Sequence, residues 1–474
     1  MHTRLRALNL SASAIRQRLA QVSMGGSWAS SQPAEVQHNL RNFWFDGLFA
    51  SANDAILLTY LTLYILALGA SEVQIGLMSS LGSLAATLVL LPGALMVERL
   101  GYRKRIVVAT GGIGARIMIL LMVLAPFVVQ GPGLVALAIG LEVVRQALGN
   151  IALPAWVSLS GDIVPMAWRG RYFASRNIVM SLANILIVIL TGQMITRMDQ
   201  PGGYQVALGL AFGFGITSAY FFSRLKEPPM QPFPAKETPT QPVPAEEPPV
   251  QPAPAKETPT QLVPAEEPVQ KPRALLSRAL ISRELFRPLL ENRLLLMFCL
   301  SAALWNFALN ISGPFFSVYQ AKVLMLTPAT IGLLATVSSL SGLPAQRIIG
   351  PLTDRLGPRR VQLITGFLIP LLPIGWLFVT RADWAPWQIT LINLAGGFLW
   401  AGYSLASFNM LLALMPAEQR ARLTALYQVI VTISLAAGAA VGGVLVSTWG
   451  YAAVFVASAL LRWAAAIIFA KHVK

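Results

Sequence analysis

The chain has 474 residues, of which 55% are apolar and only 12% are charged, about half the charged share of a soluble domain. This composition excludes an ordinary soluble protein. The formal net charge of +16 would suit a nucleic-acid-binding protein, but the basic residues concentrate on alternate connections between hydrophobic runs. That distribution argues against nucleic acid as a partner.

Hydrophobic runs of roughly twenty residues, the length that crosses a ~30 Å hydrocarbon core, recur along nearly the whole chain. Because every backbone N–H and C=O needs an internal partner in lipid, these runs predict transmembrane helices. We place twelve spans, at about residues 43–68, 73–97, 105–128, 133–157, 172–196, 203–223, 293–318, 328–350, 361–380, 386–413, 423–446 and 450–470. The predicted fold class is an all-α membrane protein with two pseudo-symmetric six-helix bundles.

The spans divide the chain into four parts. We predict an N-terminal arm (1–40), a first bundle (41–225), a Pro-rich linker with a basic interfacial segment (226–290), and a second bundle (291–474). About half of the chain's 32 prolines fall between residues 226 and 272, so the linker is expected to be extended and mobile. We expect no cleavable signal peptide in the arm, because it contains no long apolar run.

Basic residues set the expected orientation. They lie on one set of connections, which with both termini should face the cytoplasm. The set is Arg103, Lys104, Arg105, Arg169, Arg171, Arg176, Arg224, Lys226, Arg355, Arg359, Arg360, Arg420 and Arg422. The single cysteine, Cys299, and three histidines in the chain's tails argue against a disulfide, a metal site or a His-based catalytic site.

The two halves repeat a loop motif about 256 residues apart. The first copy holds Glu98, Arg99, Gly101 and Arg103, and the second holds Gly350, Asp354, Arg355, Gly357 and Arg359. Here the chain resembles the major facilitator superfamily, whose loop between spans two and three reads Gly-x-x-x-Asp-Arg-x-Gly-x-Arg. The first copy departs from that pattern at Ala94 and Glu98. The resemblance implies that these residues gate the transporter by latching its halves together.

Ionisable residues inside predicted spans are costly and tend to be functional. Asp46, Asn53 and Asp54 lie on the first span, and Asp54 is about 18 Å from its cytoplasmic edge, close to the midplane. Glu142 and Arg145 share a face of the fourth span, where they form either a structural ion pair or part of a functional cluster.

The fourth span also carries a second resemblance. Leu141-x-x-x-Arg145-x-x-Leu148-Gly149-x-x-Ala152 is similar to the motif of proton-coupled members of the superfamily, with Leu148 in place of glutamine. It implies that Arg145 takes part in proton coupling with Asp54, Asp46 and Glu142. The first-span acids are also similar to those of multidrug/proton antiporters, but the fifth-span glycine signature of that group is missing between residues 181 and 195.

Polar and aromatic residues at mid-span depth are expected to line a substrate cavity centred on the first and fourth helices. Helix packing is the alternative for each of them. The predicted substrate-binding residues are Asn53, Arg116, Trp305, Asn306, Asn310, Trp400, Tyr403, Tyr427 and Gln428. Arg462, on the last span, is expected to be structural.

These features predict a secondary active transporter that works by alternating access, not an enzyme. We expect it to be a proton-coupled monomer in the cell membrane, exporting a drug or metabolite, with the small-molecule substrate, protons and lipid as its partners and no cofactor. One alternative is a transport-inactive receptor or scaffold on the same fold. The other is an uptake symporter for sugars or organic anions.

Overall fold

A computed structural model of the chain describes residues 26–227, 292–379, 383–415 and 420–473. Most of the predicted N-terminal arm, almost all of the predicted linker and interfacial segment, and the Glu98 side chain lie outside the described part. The described residues before and after the linker form one compact unit. We call residues 26–227 the first half and residues 292–473 the second half.

The first half is built of long helices joined by short connections. They are α1 (Ala34–Ala67), α2 (Glu72–Leu100), α3 (Arg103–Val128), α4 (Pro132–Ile163), α5 (Arg169–Thr196) and α6 (Gly202–Ser223). α2 begins with a capping box, in which the Ser71 side chain accepts from the Gln74 N–H and the Gln74 side chain accepts from the Ser71 N–H. α2 ends at Gly101, whose φ of 67° is the left-handed conformation that glycine adopts without steric cost.

The second half repeats the order with more interruptions. Its helices are α7 (Arg293–Ser312), α8 (Phe315–Lys322), α9 (Pro328–Leu356), α10 (Pro358–Leu368), α11 (Leu371–Trp376), α12 (Ala385–Leu414) and α13 (Arg420–His472). The seventh and ninth predicted spans were expected to be continuous, but each is broken, at Gly313–Pro314 and at Ile369–Pro370. A proline has no N–H to continue the helical ladder, which explains both breaks.

The helix count can be compared with the predicted twelve spans. Among the described residues, nine helical segments are long and apolar enough to cross a membrane. One of them covers the eleventh and twelfth predicted spans, because α13 consists of two helices joined at Gly450, whose φ of 82° and ψ of 176° are not helical. α9 and the pair α10–α11 occupy the eighth and ninth predicted spans. The all-helical membrane fold is thus confirmed, and the number twelve stays a prediction.

The halves meet closely at one end, which we call the Glu72 end and which holds the α1–α2, α5–α6 and α8–α9 connections. There Lys322 donates to Glu72 at 2.7 Å, and the Thr196 hydroxyl accepts from the Ala329 N–H at 3.0 Å. α2 and α13 approach so closely that a Cβ on Gly76 would lie 2.6 Å from the carbonyl oxygen of Ala439. Small residues therefore allow the two halves to pack backbone against backbone.

The opposite end holds the two loop motifs, and we call it the Arg103 end. Gly101 and Gly357 have positive φ values of 67° and 80° at the turn of each copy. Arg359 donates to the carbonyl oxygens of Ala470 and Val473, both in its own half. Arg359 thus ties the second loop motif to its own half.

Candidate functional site

Asp54 lies on α1 with an exposed side chain, although it is deep in a predicted span. Its carboxylate lies within electrostatic range of the guanidinium groups of Arg116 on α3 and Arg145 on α4. In the part of the chain that the structure describes, no cation comes close enough to form an ion pair with it. The structure thus brings three predicted residues together around a carboxylate that remains accessible.

Glu142 and Arg145 form a bidentate ion pair on α4. The Arg145 Nε and Nη2 atoms donate to the two carboxylate oxygens at 2.6 and 2.7 Å. The Gln146 side chain also donates to Glu142 Oε1 at 2.9 Å. Glu142 is buried, so three hydrogen bonds compensate for the loss of its hydration.

Asp46 lies about two helical turns before Asp54 on α1, nearer the Arg103 end, and belongs to a separate cluster. Its carboxylate accepts from Ser218 on α6 at 2.7 Å and pairs with Arg176 on α5 at 3.6 Å. The Arg176 guanidinium also lies over the Phe43 ring, 4.4 Å from its centroid. The assignment of Arg176 to a basic connection was therefore wrong, because the residue lies within α5 and its side chain is buried against α1.

Asn53 and Arg116 face helix α6. The Asn53 side chain is completely buried and donates to the carbonyl oxygen of Ala211 at 2.8 Å. Arg116 packs its stem and Nε against the backbone at Gly215, and that Nε has no hydrogen-bond partner. Asn53 thus ties α1 to α6 in this conformation, and Arg116 contributes charge beside Asp54.

A cavity of about 560 Å³ lies between the two halves. On the first half it is lined by α1 and α5, through Leu58, Thr59, Asn184 and Val188, and not by α4 as expected. On the second half it is lined by Leu309, Gly313, Phe316, Ser317, Gln320, Ile331, Ala335, Thr336, Ser338, Ser339, Leu372, Pro373, Trp376, Ile392, Asn393, Gly396, Trp400 and Arg462. Its size is that of a site for a small organic molecule.

Asp54 stands in a simple relation to this cavity. It precedes the lining residue Leu58 by one helical turn on the same face of α1, about 6 Å along the axis. The side chains of both residues are exposed. The accessible carboxylate and the cavity therefore share one face of one helix.

Of the predicted substrate-binding residues, Trp400 lines the cavity. Trp305 lies behind it, stacked on Tyr403 with ring centroids 4.3 Å apart, and Trp400 packs edge-on against both rings. Trp305 is buried, and its indole N–H has no hydrogen-bond partner. These three aromatic residues form one cluster, of which Trp400 is the member that reaches the cavity.

The other predicted substrate-binding residues are more dispersed. Asn306 donates to Ala302 in its own helix at 2.8 Å, and Asn310 donates to Leu435 on α13 at 2.7 Å. Tyr427 stacks on Phe298 at 5.9 Å between ring centroids, and the Gln428 side chain is exposed. Of these four residues, Asn310 and Tyr427 thus contact another helix here, and the role of all four toward a substrate stays a prediction.

The first loop motif is organised around Arg103. This side chain is buried and pairs with Asp162 at the end of α4 and with Glu227, whose Oε1 lies 3.2 Å from Arg103 Nε. It also donates to Ser158 at 3.1 Å. In the second copy Arg359 bonds to its own half, as described above.

The remaining motif residues lie at the surface of the Arg103 end or in its turns. Those with exposed side chains are Arg99, Asp354 and Arg355. Gly101, Gly350 and Gly357 have open space where a Cβ would lie. Their latching role stays a prediction.

Arg462 lines the cavity from the second half, although the sequence interpretation did not place it there. It lies in the middle of the last predicted span, is 2% exposed, and donates to Ser312 Oγ at 3.2 Å. The sequence interpretation treated it as structural, because an arginine inside a span can pair with a backbone carbonyl or extend to the interface.

The fold and the cavity between its halves define a polytopic α-helical membrane transporter. Residues 43–321 and 298–473 match the family model described as Major Facilitator Superfamily. The chain belongs to this superfamily, and it is a secondary transporter, as expected from the loop motif.

Solved structures share the fold. The nucleoside transporter NupG matches with a TM-score of 0.65 at 14% identity, covering 90% of this chain and 98% of that chain. A bacterial homologue of the human lysosomal transporter Spinster, in an inward-facing conformation, matches with a TM-score of 0.64 at 13% identity and covers 93% and 97%. A D-xylose-proton symporter matches with a TM-score of 0.61 at 13% identity and covers 91% and 97%. No curated protein sequence matches the chain.

Proposed function

We propose that the chain is a proton-coupled transporter of the cell membrane, in which Asp54 takes up and releases the coupling proton. The observation that carries this proposal is the accessible Asp54 carboxylate, close to Arg116 and Arg145 but paired with neither. A carboxylate in a membrane span whose side chain is exposed and within electrostatic range of cations can exchange a proton as its surroundings change. The protein acts as a monomer in this proposal.

The other two acids of the predicted coupling group have different roles. Glu142 is held by Arg145 and Gln146, and Asp46 is held by Ser218 and Arg176. Because each has partners that stabilise its charged form, we assign them to positioning: Glu142 fixes Arg145 toward Asp54, and Asp46 fixes α1 against α5 and α6. Protonation of Asp54 neutralises the carboxylate that Arg145 faces. Proton binding is thereby coupled to the helices that carry these two residues.

Alternating access follows from the unequal ends of the bundle. The Glu72 end is closed by contacts between the halves, which include Glu72–Lys322 and Gly76–Ala439. With the basic connections and both termini on the cytoplasmic side, this conformation is closed to the outside. The loop motifs, including Arg99, Asp354 and Arg355, then form their latch in the opposite state.

The proposal is tested with purified protein in proteoliposomes that enclose a pH-sensitive dye. Candidate drugs, sugars and organic anions are added with and without an imposed pH gradient, and proton movement is recorded together with uptake. We expect solute movement to be driven by the gradient, and Asp54→Asn to lose that drive while keeping exchange of solute. The matched control is Asp199→Asn, which removes an exposed carboxylate from the α5–α6 connection.

Two results would decide against the proposal. Gradient-driven uptake that is unchanged in Asp54→Asn removes Asp54 from coupling. Binding of a solute without any transport favours the receptor or scaffold alternative, when a thermal transition shows that the protein is folded. The sign of the gradient that drives movement separates export of a drug or metabolite from uptake by symport.

A further inference from the structure

We propose that Arg462 recognises the carboxylate of an organic anion in the cavity between the halves. This inference rests on the proposed transport function and adds the class of its substrate. The cavity holds about 560 Å³, and Arg462 contributes to its wall from the last predicted span. The charge, the hydrogen bonds and the surroundings of this side chain lead to the same substrate chemistry.

The first step concerns charge. Arg462 is 2% exposed, and no carboxylate of the described chain forms an ion pair with it. Among the described residues of the second half, the acids are Asp354 and Asp383, both near helix ends and far along the chain from the middle of the last span. A buried arginine without an internal anion is costly, so a negative group supplied by a ligand would stabilise it.

The second step concerns hydrogen bonds. An arginine carries five N–H donors in a planar fork. Arg462 uses one of them on Ser312 Oγ at 3.2 Å, while its buried Nε has no partner. Ser312 is itself held by Ser458, 3.0 Å away, which fixes the guanidinium in place. Donors that remain free beside a fixed one match the two oxygens of a carboxylate.

The third step concerns the body of the ligand. The wall around Arg462 combines the aromatic rings of Phe316, Trp376 and Trp400 with the hydroxyl groups of Ser338 and Ser339. Arg462 is the one cation of the described lining. A single positive charge in a partly aromatic cavity fits a monoanionic organic carboxylate with an apolar body better than a dianionic phosphate ester.

The test measures binding to the full-length protein in detergent, separately from transport. Benzoate and hexanoate are each compared with their neutral amides, benzamide and hexanamide, by ligand-dependent thermal stabilisation. We expect each carboxylate to bind at least ten-fold more tightly than its amide. Arg462→Gln should weaken carboxylate binding at least ten-fold, and Arg462→Lys should retain part of it.

A second pair of variants keeps the test valid if Arg462→Gln does not fold. Ser339 lines the cavity with an exposed side chain, so Ser339→Asp places a negative charge inside without disturbing a packed core. We expect Ser339→Asp to weaken carboxylate binding ten-fold or more relative to Ser339→Asn, which has the same size as the aspartate variant but carries no charge.

The inference is overturned if the amides bind as well as the carboxylates, if no carboxylate binds, or if both folded Arg462→Gln and Ser339→Asp bind carboxylate with unchanged affinity. Its failure is distinct from that of the transport proposal. Carboxylate binding that depends on Arg462, without any uptake into proteoliposomes, supports the site and contradicts transport. Gradient-driven uptake of neutral solutes that ignores Arg462 supports transport and contradicts the carboxylate site.

Discussion

Lys322 and Glu72 are joined by an ion pair of 2.7 Å that ties the two halves together across 250 residues of chain. Glu72 also accepts from the Tyr451 hydroxyl at 3.2 Å. The three side chains come from α8, α2 and α13, and they meet at the Glu72 end. The Glu72 end is therefore held by this polar contact in addition to the close packing of small residues.

The ion pair of Lys322 and Glu72 leads to a first prediction, for Lys322→Ala. The two charged side chains are 39% and 22% exposed, so their pairing contributes at most about 1 kcal/mol to the closed state. We expect up to about a five-fold shift toward an open Glu72 end, seen as a longer distance between spin labels at Asp199→Cys and Met325→Cys in a Cys299→Ala background. Lys322→Arg is the control and should keep the short distance. An unchanged distance distribution in Lys322→Ala would assign the closure to packing alone.

A second prediction concerns Gly76. An added Cβ would lie 2.6 Å from the Ala439 carbonyl oxygen, which is too close, so Gly76→Ala should force α2 and α13 apart. We expect the same pair of spin labels to report an opened Glu72 end and transport to be slowed. Gly209→Ala is the matched control, because Gly209 is also helical and has nothing within 4 Å of its Cβ position. Equal behaviour of the two variants would contradict the close-contact account.

A third prediction concerns the ion pair of Glu142 and Arg145. Removing one partner leaves a charge without compensation, so Glu142→Gln should lower the free energy of unfolding by about 2–3 kcal/mol. The reverse change, Arg145→Gln, should cost more, because the Glu142 side chain is 3% exposed against 18% for Arg145. The double variant should recover part of the loss in chemical denaturation. Additive losses would show that the two charges act independently.

A fourth prediction concerns the buried fork of Arg103. Lysine keeps the charge but cannot reach Asp162, Glu227 and Ser158 together, so Arg103→Lys should destabilise the protein by about 1–3 kcal/mol. Arg105→Lys is the control, since the Arg105 side chain is exposed and stacks on Tyr102. The measurement is the thermal transition in detergent. A similar effect of Arg103→Lys and Arg105→Lys would contradict the stabilising role assigned to the Arg103 contacts.

The sequence predicted the fold well because each half carries the same two signals, apolar length and a repeated loop motif. Breaks inside spans were harder to place. Pro314 and Pro370 interrupt helices that hydropathy alone joins. A window of apolar residues cannot distinguish a straight helix from a broken one.

The candidate site was predicted in part. Depth in the first span identified Asp54, and helical spacing identified the pair of Glu142 and Arg145. Asn53 was grouped with Asp54, but neighbouring residues on a helix point about 100° apart, and Asn53 turns toward Ala211 on α6.

Contacts between distant segments could not be predicted. Arg176 pairs with Asp46 across two helices, and Arg462 lines a cavity whose wall is built by both halves. The spacing of residues along the chain indicates neither contact. Both depend on how one helix packs against another, which the sequence pattern does not give.

Residues 225–227, where the chain leaves the first half, are anchored on two sides. Asn39 exchanges hydrogen bonds of 2.9 and 2.8 Å with Lys226, and Glu227 accepts from the Arg103 backbone N–H at 3.0 Å. The exit point is thereby fixed to the first helix and to the loop motif where the Pro-rich linker begins. A change in the length of the linker beyond residue 227 would leave this anchorage in place.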